Sequence, residues 1–248
     1  MKLEIKHIQK SFGENKVLKD VSFKTEQGKV YVLMGTNGSG KTTLFNIITG
    51  FLKPDKGKVV LNNEDITNQE SFLINAKGIS RTFQDLRLIE DLSVKENLLL
   101  AFKNQVGEKW WKALMPTKYY QSEQKENKLK ADKILQETFI DNVAEQKAGE
   151  ISYGQQKLLT LACCMANDSQ VFLLDEPVAG VNPAYREKLT AIINKLKETG
   201  KTFLIIEHNT DFITQIADKI FFLNNGIVTE YDTYDEMRND EQVKEAYV

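Results

Sequence analysis

The sequence predicts an α/β fold: a mainly parallel sheet covered on both faces, a small antiparallel β layer near the N-terminus, and a helical subdomain inserted into the core. Three observations predict it. Short, wholly apolar runs at residues 30–34, 171–174 and 203–206 alternate with helix-forming stretches, the spacing of parallel strands buried on both faces. Gly35-Thr36-Asn37-Gly38-Ser39-Gly40-Lys41-Thr42 joins the first run to an apolar helix and fits G-x-x-x-x-G-K-[ST] at every fixed position. After Gln84 the pattern turns helical and stays so until about residue 165.

Taken in order, the chain opens with alternating polar and apolar residues in Leu3-Glu4-Ile5-Lys6-His7-Ile8 and in Val17-Leu18-Lys19-Asp20-Val21-Ser22-Phe23, with a glycine-containing turn between. That patterning predicts half-exposed antiparallel strands. Lys58-Val59-Val60-Leu61, after the turn-forming Pro54-Asp55-Lys56-Gly57, adds another strand to this layer. Lys29 to Met34 reads as a buried strand, and Thr43-Leu44-Phe45-Asn46-Ile47-Ile48 as the helix after the glycine-rich loop. Ser93-Val94-Lys95-Glu96 matches the S-x-x-E capping box and opens a helix over Asn97-Leu98-Leu99-Leu100-Ala101-Phe102. Residues 121–136, polar with widely spaced apolar positions, suit an exposed helix. An amphipathic helix over residues 185–199 separates the second and third apolar runs. Ile220 to Val228 contains Asn225-Gly226, the strongest short hairpin signal, and a charged tail of helical composition follows from Asp235 to Val248. These boundaries give one domain with core lobes at about 1–85 and 166–228, a helical insertion at about 86–165 and a C-terminal tail at about 229–248.

At 248 residues, with 41% hydrophobic and 27% charged residues, the chain is long enough to bury a sizeable core and ordinary for a globular protein. A formal net charge of −2 gives no electrostatic reason to expect nucleic acid as a partner. No apolar run reaches the roughly 18–20 residues of a membrane span, and the first residues do not form a signal peptide, so a cytoplasmic location is expected. Cys163 and Cys164, the only cysteines, are adjacent in an apolar helical segment and read as small packing residues.

The chemistry converges on strand ends. Three glycines let successive backbone N–H groups surround a phosphate, and the positive end of the following helix adds to the attraction. Lys41 is expected to reach the β and γ phosphates of a nucleoside triphosphate and Thr42 to hold Mg²⁺, with the loop from Gly35 through Thr43 contacting the nucleotide. A mere strand-to-helix turn would need neither the lysine nor the threonine. The other two apolar runs end in Asp175-Glu176 and Glu207-His208, and open α/β sheets bind ligands at the carboxyl ends of their strands. Asp175 is expected to hold Mg²⁺ through water, relieving the cost of an unpartnered buried carboxylate, while Glu176 activates the attacking water as general base. Acids also cap helices; two in succession after four apolar residues, in a chain with a phosphate loop, point to catalysis. His208 is placed to contact the γ-phosphate, whereas His7, in the leading strand, reads as a satisfied structural residue.

Ile151-Ser152-Tyr153-Gly154-Gln155-Gln156, followed by Val171-Phe172-Leu173-Leu174-Asp175-Glu176-Pro177, resembles the signature and the following acidic motif of the ABC-transporter ATPases. Gln84 resembles that family's Q-loop glutamine, a Mg²⁺ ligand and catalytic residue, and Phe12 its adenine-stacking aromatic residue. Ala179-Gly180-Val181-Asn182-Pro183 lies where the D-loop is expected, and His208 matches the switch histidine. The resemblance covers essentially the whole chain. Within the family the sequence looks most like the ATPases of branched-chain amino-acid importers, through residues 79–88, the Tyr-Gly-Gln-Gln signature, the Ala-Gly-Val-Asn-Pro loop, the ending Val243-Lys244-Glu245-Ala246-Tyr247 and the insertion around Trp110 and Trp111. Tyr153 stands where glycine is usual, Asn182 where aspartate is usual, and Leu158-Leu159 follow Lys157 where basic residues are common.

The resemblance implies ATP and Mg²⁺ as cofactors and a head-to-tail dimer, homo- or heteromeric with a related ATPase. In that dimer Ser152, Gly154 and Gln155, at the start of a helix opening at Gln155, face the partner's nucleotide. It implies transmembrane permease subunits as partners and a peripheral position on the inner face of the cell membrane through them. Trp110 and Trp111 fit either permease contact or local packing. Rival readings are a lipopolysaccharide-export-type ATPase, or a non-transport ATPase acting on DNA or ribosomes; the latter typically carry coiled coils, tandem cassettes or basic patches, and this sequence has none.

Overall fold

The N-terminal alternation produces two ten-residue strands, β1 (Leu3–Phe12) and β2 (Asn15–Lys24), paired antiparallel. The computed structural model describes residues 1–83, 86–103 and 118–246. Gln84, Trp110, Trp111 and Tyr247, each singled out above, lie outside the described residues. Two compact units result, one made of Met1–Gln84, Gln170–Gly180 and Ile193–Val248, the other of Asp85–Ser169 and Val181–Ile192.

The first unit holds the sheet. Its further strands are β3 (Val30–Met34), β4 (Lys56–Leu61), β5 (Glu64–Asp65), β6 (Ile79–Arg81), β7 (Val171–Asp175), β8 (Thr202–Ile206), β9 (Lys219–Asn224) and β10 (Ile227–Tyr231). They join in one sheet ordered β5-β4-β1-β2-β10-β9-β3-β8-β7-β6. From β9 to β6 all neighbours are parallel, as the apolar runs require, while β1, β2, β4 and β5 pair antiparallel. Tyr31 stacks on Phe221 and Phe172 on Phe203, each with ring centroids 5.0 Å apart. Full burial of a phenylalanine-sized side chain contributes about 1.5–3 kcal/mol. The helix Lys41–Ile48 buries Leu44, Phe45, Ile47 and Ile48, all but Ile47 wholly inaccessible.

Strand β4 starts at Lys56, two residues earlier than the pattern indicates, because Gly57 enters the ladder beside a bulge at His7. His7 has φ 51°, and a Cβ on Gly57 would lie 2.3 Å from its carbonyl oxygen. His7 itself is exposed, with Nδ1 2.9 Å from the Asp20 carboxylate. The antiparallel layer meets the parallel sheet at a narrow seam. β10 pairs with β2 through Ile227 and Asp20, and the amides of Lys19 and Asp20 both donate to the Gly226 carbonyl, at 2.9 and 3.2 Å. β9 and β10 form the hairpin that Asn225-Gly226 indicates. After Tyr231 come two short helices, Tyr234–Asn239 and Glu241–Ala246.

The second unit contains the helices Val94–Leu100, Lys118–Glu137 and Tyr153–Ala166 and the first part of Pro183–Glu198. Ser93 caps its helix as the motif requires: Oγ accepts from the Glu96 amide at 3.1 Å, and the Glu96 carboxylate accepts from the Ser93 amide at 2.8 Å. Val94, Leu98, Ala131, Leu135, Leu158 and Leu159 are buried. Asn97, also buried, satisfies its amide group by donating to the carbonyls of Ile89, Leu92 and Ser93. Among the described residues no helix is long and apolar enough to cross a membrane.

Candidate nucleotide and hydrolysis site

The phosphate loop leaves β3 at Gly35, which has φ 149°; a Cβ there would stand 2.2 Å from the Leu223 carbonyl oxygen. Gly40, at φ 105°, precedes the helix Lys41–Ile48 with no side chain to cap it. The amides of the first helical turn are thus left without a side-chain acceptor. Ser39 Oγ is buried within the loop and makes no hydrogen bond. A buried hydroxyl without a partner costs about 1–3 kcal/mol, and a donor so placed fits a phosphate oxygen as acceptor. Lys41 is buried, and its ammonium donates to the carbonyls of Gly35 at 2.8 Å and Thr36 at 2.9 Å. Burial lowers its pKa, opposed by the nearby Glu176 and Asp175 carboxylates.

A cavity of about 310 Å³ opens beside the loop, lined among others by Lys16, Val17, Thr36, Asn37, Ser39 and Asn225. Phe12 pairs across the β1–β2 hairpin with Asn15, which also lines the cavity. Phe12 is 52% exposed, with the Lys10 ammonium 5.6 Å from its ring centroid, so it is not a core residue.

The acids stand at the ends of β7 and β8, of which β8 pairs directly with β3. Asp175 is the last residue of β7, and its backbone amide donates to Thr82 Oγ1 at 3.2 Å. It has a partner that sequence alone did not supply. Arg81, at the end of β6, donates to the Asp175 carboxylate at 2.9 Å and to Asn46 Oδ1 at 2.6 Å. Its guanidinium lies over the Phe45 and Phe83 rings, 5.3 and 5.0 Å from their centroids. The expectation that Asp175 needs a metal ion to escape an unpartnered burial is therefore corrected: the chain pairs it already, since β6 and β7 are in register at Arg81 and Leu173.

Glu176 has φ 47°, in the left-handed region, and its amide donates to the Ile206 carbonyl at 2.9 Å. His208 Nε2 lies 3.8 Å from Glu176 Oε1, and both side chains are partly exposed. Glu207 is 3% exposed, and its carboxylate accepts from the amides of Val178 at 3.0 Å, His208 at 2.6 Å and Asn209 at 2.9 Å. The Thr42 hydroxyl, on an exposed residue in the first helical turn, and the Asp175 carboxylate are oxygen donors of the kind Mg²⁺ prefers. Gln84, the third expected ligand, is outside the described residues.

In the second unit the signature helix begins at Tyr153, two residues before the expected Gln155, because Ser152 and Gln155 form a reciprocal cap. The Ser152 amide and hydroxyl both donate to Gln155 Oε1 at 2.9 Å. A Cβ on Gly154 would come within 3.2 Å of the Tyr185 ring. Lys157 is buried, with its ammonium 5.1 Å from the Tyr153 ring centroid. Asn182 Oδ1 accepts from the Tyr185 amide at 2.9 Å at the start of Pro183–Glu198, a capping role for which asparagine and aspartate are nearly equivalent.

The sequence reading missed Arg81 as a partner of Asp175, and Glu207 as more than a strand-end acid. It also missed the cavity lining from Lys16, Val17 and Asn225. Asn225 was visible only as a turn residue.

Residues 18–179 match the family model described as "ABC transporter". A "Probable branched-chain amino acid transport ATP-binding protein LivG" from Methanocaldococcus jannaschii is 39% identical, over 99% of this chain and 96% of its own length. Among solved structures, a nucleotide-free ATP-binding cassette from an ABC transporter superposes with a TM-score of 0.85 at 36% identity, over 100% of this chain and 99% of that one. A dimeric ATP-binding cassette in a post-hydrolysis state, bound to ADP and Pi, superposes with a TM-score of 0.75 at 26% identity, over 93% of this chain and 98% of that one.

Proposed function

This chain belongs to the ABC transporter family and is one of its ATP-hydrolysing subunits; from that premise we propose that it powers a separate transmembrane permease importing branched-chain amino acids. The observation that carries the catalytic reading is the meeting of the phosphate loop, Glu176 and His208 at the carboxyl ends of the adjacent parallel strands β3, β7 and β8. The cargo reading draws its support from the name of the Methanocaldococcus jannaschii relative.

In the proposed mechanism the loop amides and Ser39 take the β and γ phosphates, and Lys41 exchanges its two carbonyl acceptors for phosphate oxygens. Thr42 and Gln84, with Asp175 through water, would hold Mg²⁺, which when bound would offset the charge of the phosphates. Glu176 accepts the proton of the attacking water, and His208 donates to a γ-phosphate oxygen. Phe12 stacks on the adenine. Ser152, Gly154 and Gln155 of a second copy, or of a related ATPase, close the site over the γ-phosphate. The dimer sits at the cytoplasmic face of the membrane, held there by its permease.

Glu176→Gln tests the core of this reading. An amide of the same size cannot accept the proton, so ATP binding persists while turnover falls by about 10²–10⁴-fold, and the variant forms ATP-dependent dimers on size exclusion. Near wild-type hydrolysis, or a monomer at saturating ATP, overturns the assignment. The cargo is tested by the identity of the co-purifying permease and by uptake of labelled leucine, isoleucine and valine in cells lacking the chain.

A further inference from the structure

We propose that Glu207 is a positioning residue for hydrolysis, a buried clasp that fixes the turn carrying Glu176 against the turn carrying His208. The inference rests on the general-base and γ-phosphate roles proposed above for those two residues.

The parallel ladder of β7 and β8 ends at the pair Asp175 and Ile206. Beyond it the Glu176 amide still donates to the Ile206 carbonyl at 2.9 Å. The Glu207 carboxylate then ties the two segments through backbone amides. One oxygen accepts from the Val178 amide at 3.0 Å, on the Glu176 side; the other accepts from the His208 and Asn209 amides at 2.6 and 2.9 Å. All three donors are backbone groups, so the clasp acts on the course of the chain.

Two features show why that course needs holding. Glu176 adopts φ 47°, a conformation that a side-chain-bearing residue keeps only when its surroundings impose it. Glu176 Oε1 and His208 Nε2 are 3.8 Å apart, so a small shift of either turn changes where the proton acceptor and the phosphate donor stand. A misplacement of about 1 Å costs roughly 10²-fold in rate. The position calls for a carboxylate because both oxygens must accept. A glutamine of equal size offers one acceptor and one donor, and turns N–H against N–H on one side.

Two substitutions in the full chain separate acceptor chemistry from size. Glu207→Gln keeps the volume and loses one acceptor; Glu207→Asp keeps both acceptors and shortens the arm. The expected result is that Glu207→Gln binds ATP within about twofold of wild type while kcat falls by roughly 10²-fold. Amide hydrogen exchange at Val178 or at His208 and Asn209 then accelerates, and Glu207→Asp retains more of the rate than Glu207→Gln. Wild-type kcat in Glu207→Gln overturns the proposal. So does a parallel fall of kcat, ATP affinity and melting temperature in both variants, which marks a general structural role. Should Glu207→Gln not fold, Glu207→Asp decides alone: faster exchange at those amides with lowered kcat and unchanged ATP affinity supports the clasp, and any other combination overturns it. Glu176→Gln measured alongside keeps the two readings apart. If it is inactive while Glu207→Gln is normal, only the clasp fails; if it turns over normally, the general-base reading fails first.

Discussion

Phe12 and Cys163 show how differently two apolar side chains are placed. Phe12 stands half in solvent at the end of the β1–β2 hairpin, across from the cavity-lining Asn15. An exposed ring contributes little to the core, so Phe12→Ala is expected to leave the melting temperature of the nucleotide-free protein unchanged. It is expected to weaken ATP binding by about 0.5–3 kcal/mol, the range of aromatic and base stacking. Because a ring face reads few hydrogen-bonding groups, GTP should lose a similar amount, and titration calorimetry with both nucleotides checks this. Cys163, part-buried, is placed differently. Its thiol is held within the second unit, 3.8 Å from the Asn97 carbonyl, and burial pushes its pKa up to about 12. The folded chain therefore keeps a proton that the unfolded chain releases above about pH 9. The stability this group contributes is complete below pH 9 and is lost progressively as pH rises toward 12. The unfolding free energy of wild type should accordingly fall faster than that of Cys163→Ala between pH 9 and 11, by up to about 1 kcal/mol per pH unit. Urea titrations at several pH values give the two slopes, and equal slopes would place the thiol in water.

The hairpin of β9 and β10 is the element on which the seam of the sheet depends. Gly226, at φ 76°, presses against β2, and a Cβ there would fall 2.8 Å from the Lys19 amide nitrogen and 2.9 Å from the Val17 carbonyl oxygen. Gly13, at φ 61°, has nothing within 4 Å of the corresponding point. Both positions strain any other residue, but only one also meets backbone. Gly226→Ala is therefore expected to destabilise the protein by about 1–3 kcal/mol more than Gly13→Ala, and to weaken ATP binding as well, since Asn225 and Gly226 line the cavity. Denaturation and nucleotide titration of both variants check the difference. Elements of this kind mark the limit of what the sequence makes legible. Alternation in β1 and β2, the apolar runs of β3, β7 and β8, the Asn-Gly turn and the Ser93 capping box are local patterns, and each indicates its element directly. The early start of β4 was hidden because a remote bulge at His7 sets it; that of the Tyr153 helix is written locally in Ser152-x-x-Gln155, a capping box of the same kind that went unread. The motifs likewise marked which loops carry the chemistry. They were silent on Arg81 and Asp175, 94 positions apart, because nothing local says that β6 lies beside β7. Glu207 looked like one more acid at a strand end, since its three partners are backbone amides that leave no trace in residue type.

At the scale of the whole molecule, Lys41 belongs to one compact unit and Ser152 to the other. In the proposed dimer each site draws Lys41 from one copy and Ser152 from the next. Lys41→Ala and Ser152→Arg should then each inactivate a homodimer, whereas mixing the two leaves one intact site per heterodimer and restores part of the hydrolysis. Rates measured on mixed dimers verified by mass spectrometry check this. Persistent inactivity would count against separately firing shared sites, and full activity of the Ser152→Arg homodimer would remove the signature from catalysis. One feature of the sheet also reaches back to the moment of synthesis. β3, which delivers the phosphate loop, lies between β8 and β9, so both its neighbours come from residues 202–224. A ribosome that has released the first 200 residues has released an apolar strand with both edges open, and closing it requires contacts distant in sequence, the slow kind to form. Until residues 202–224 have emerged, β3 therefore has neither of its sheet neighbours, and the strand that carries the phosphate loop waits, apolar and unpaired, for the far end of its own chain.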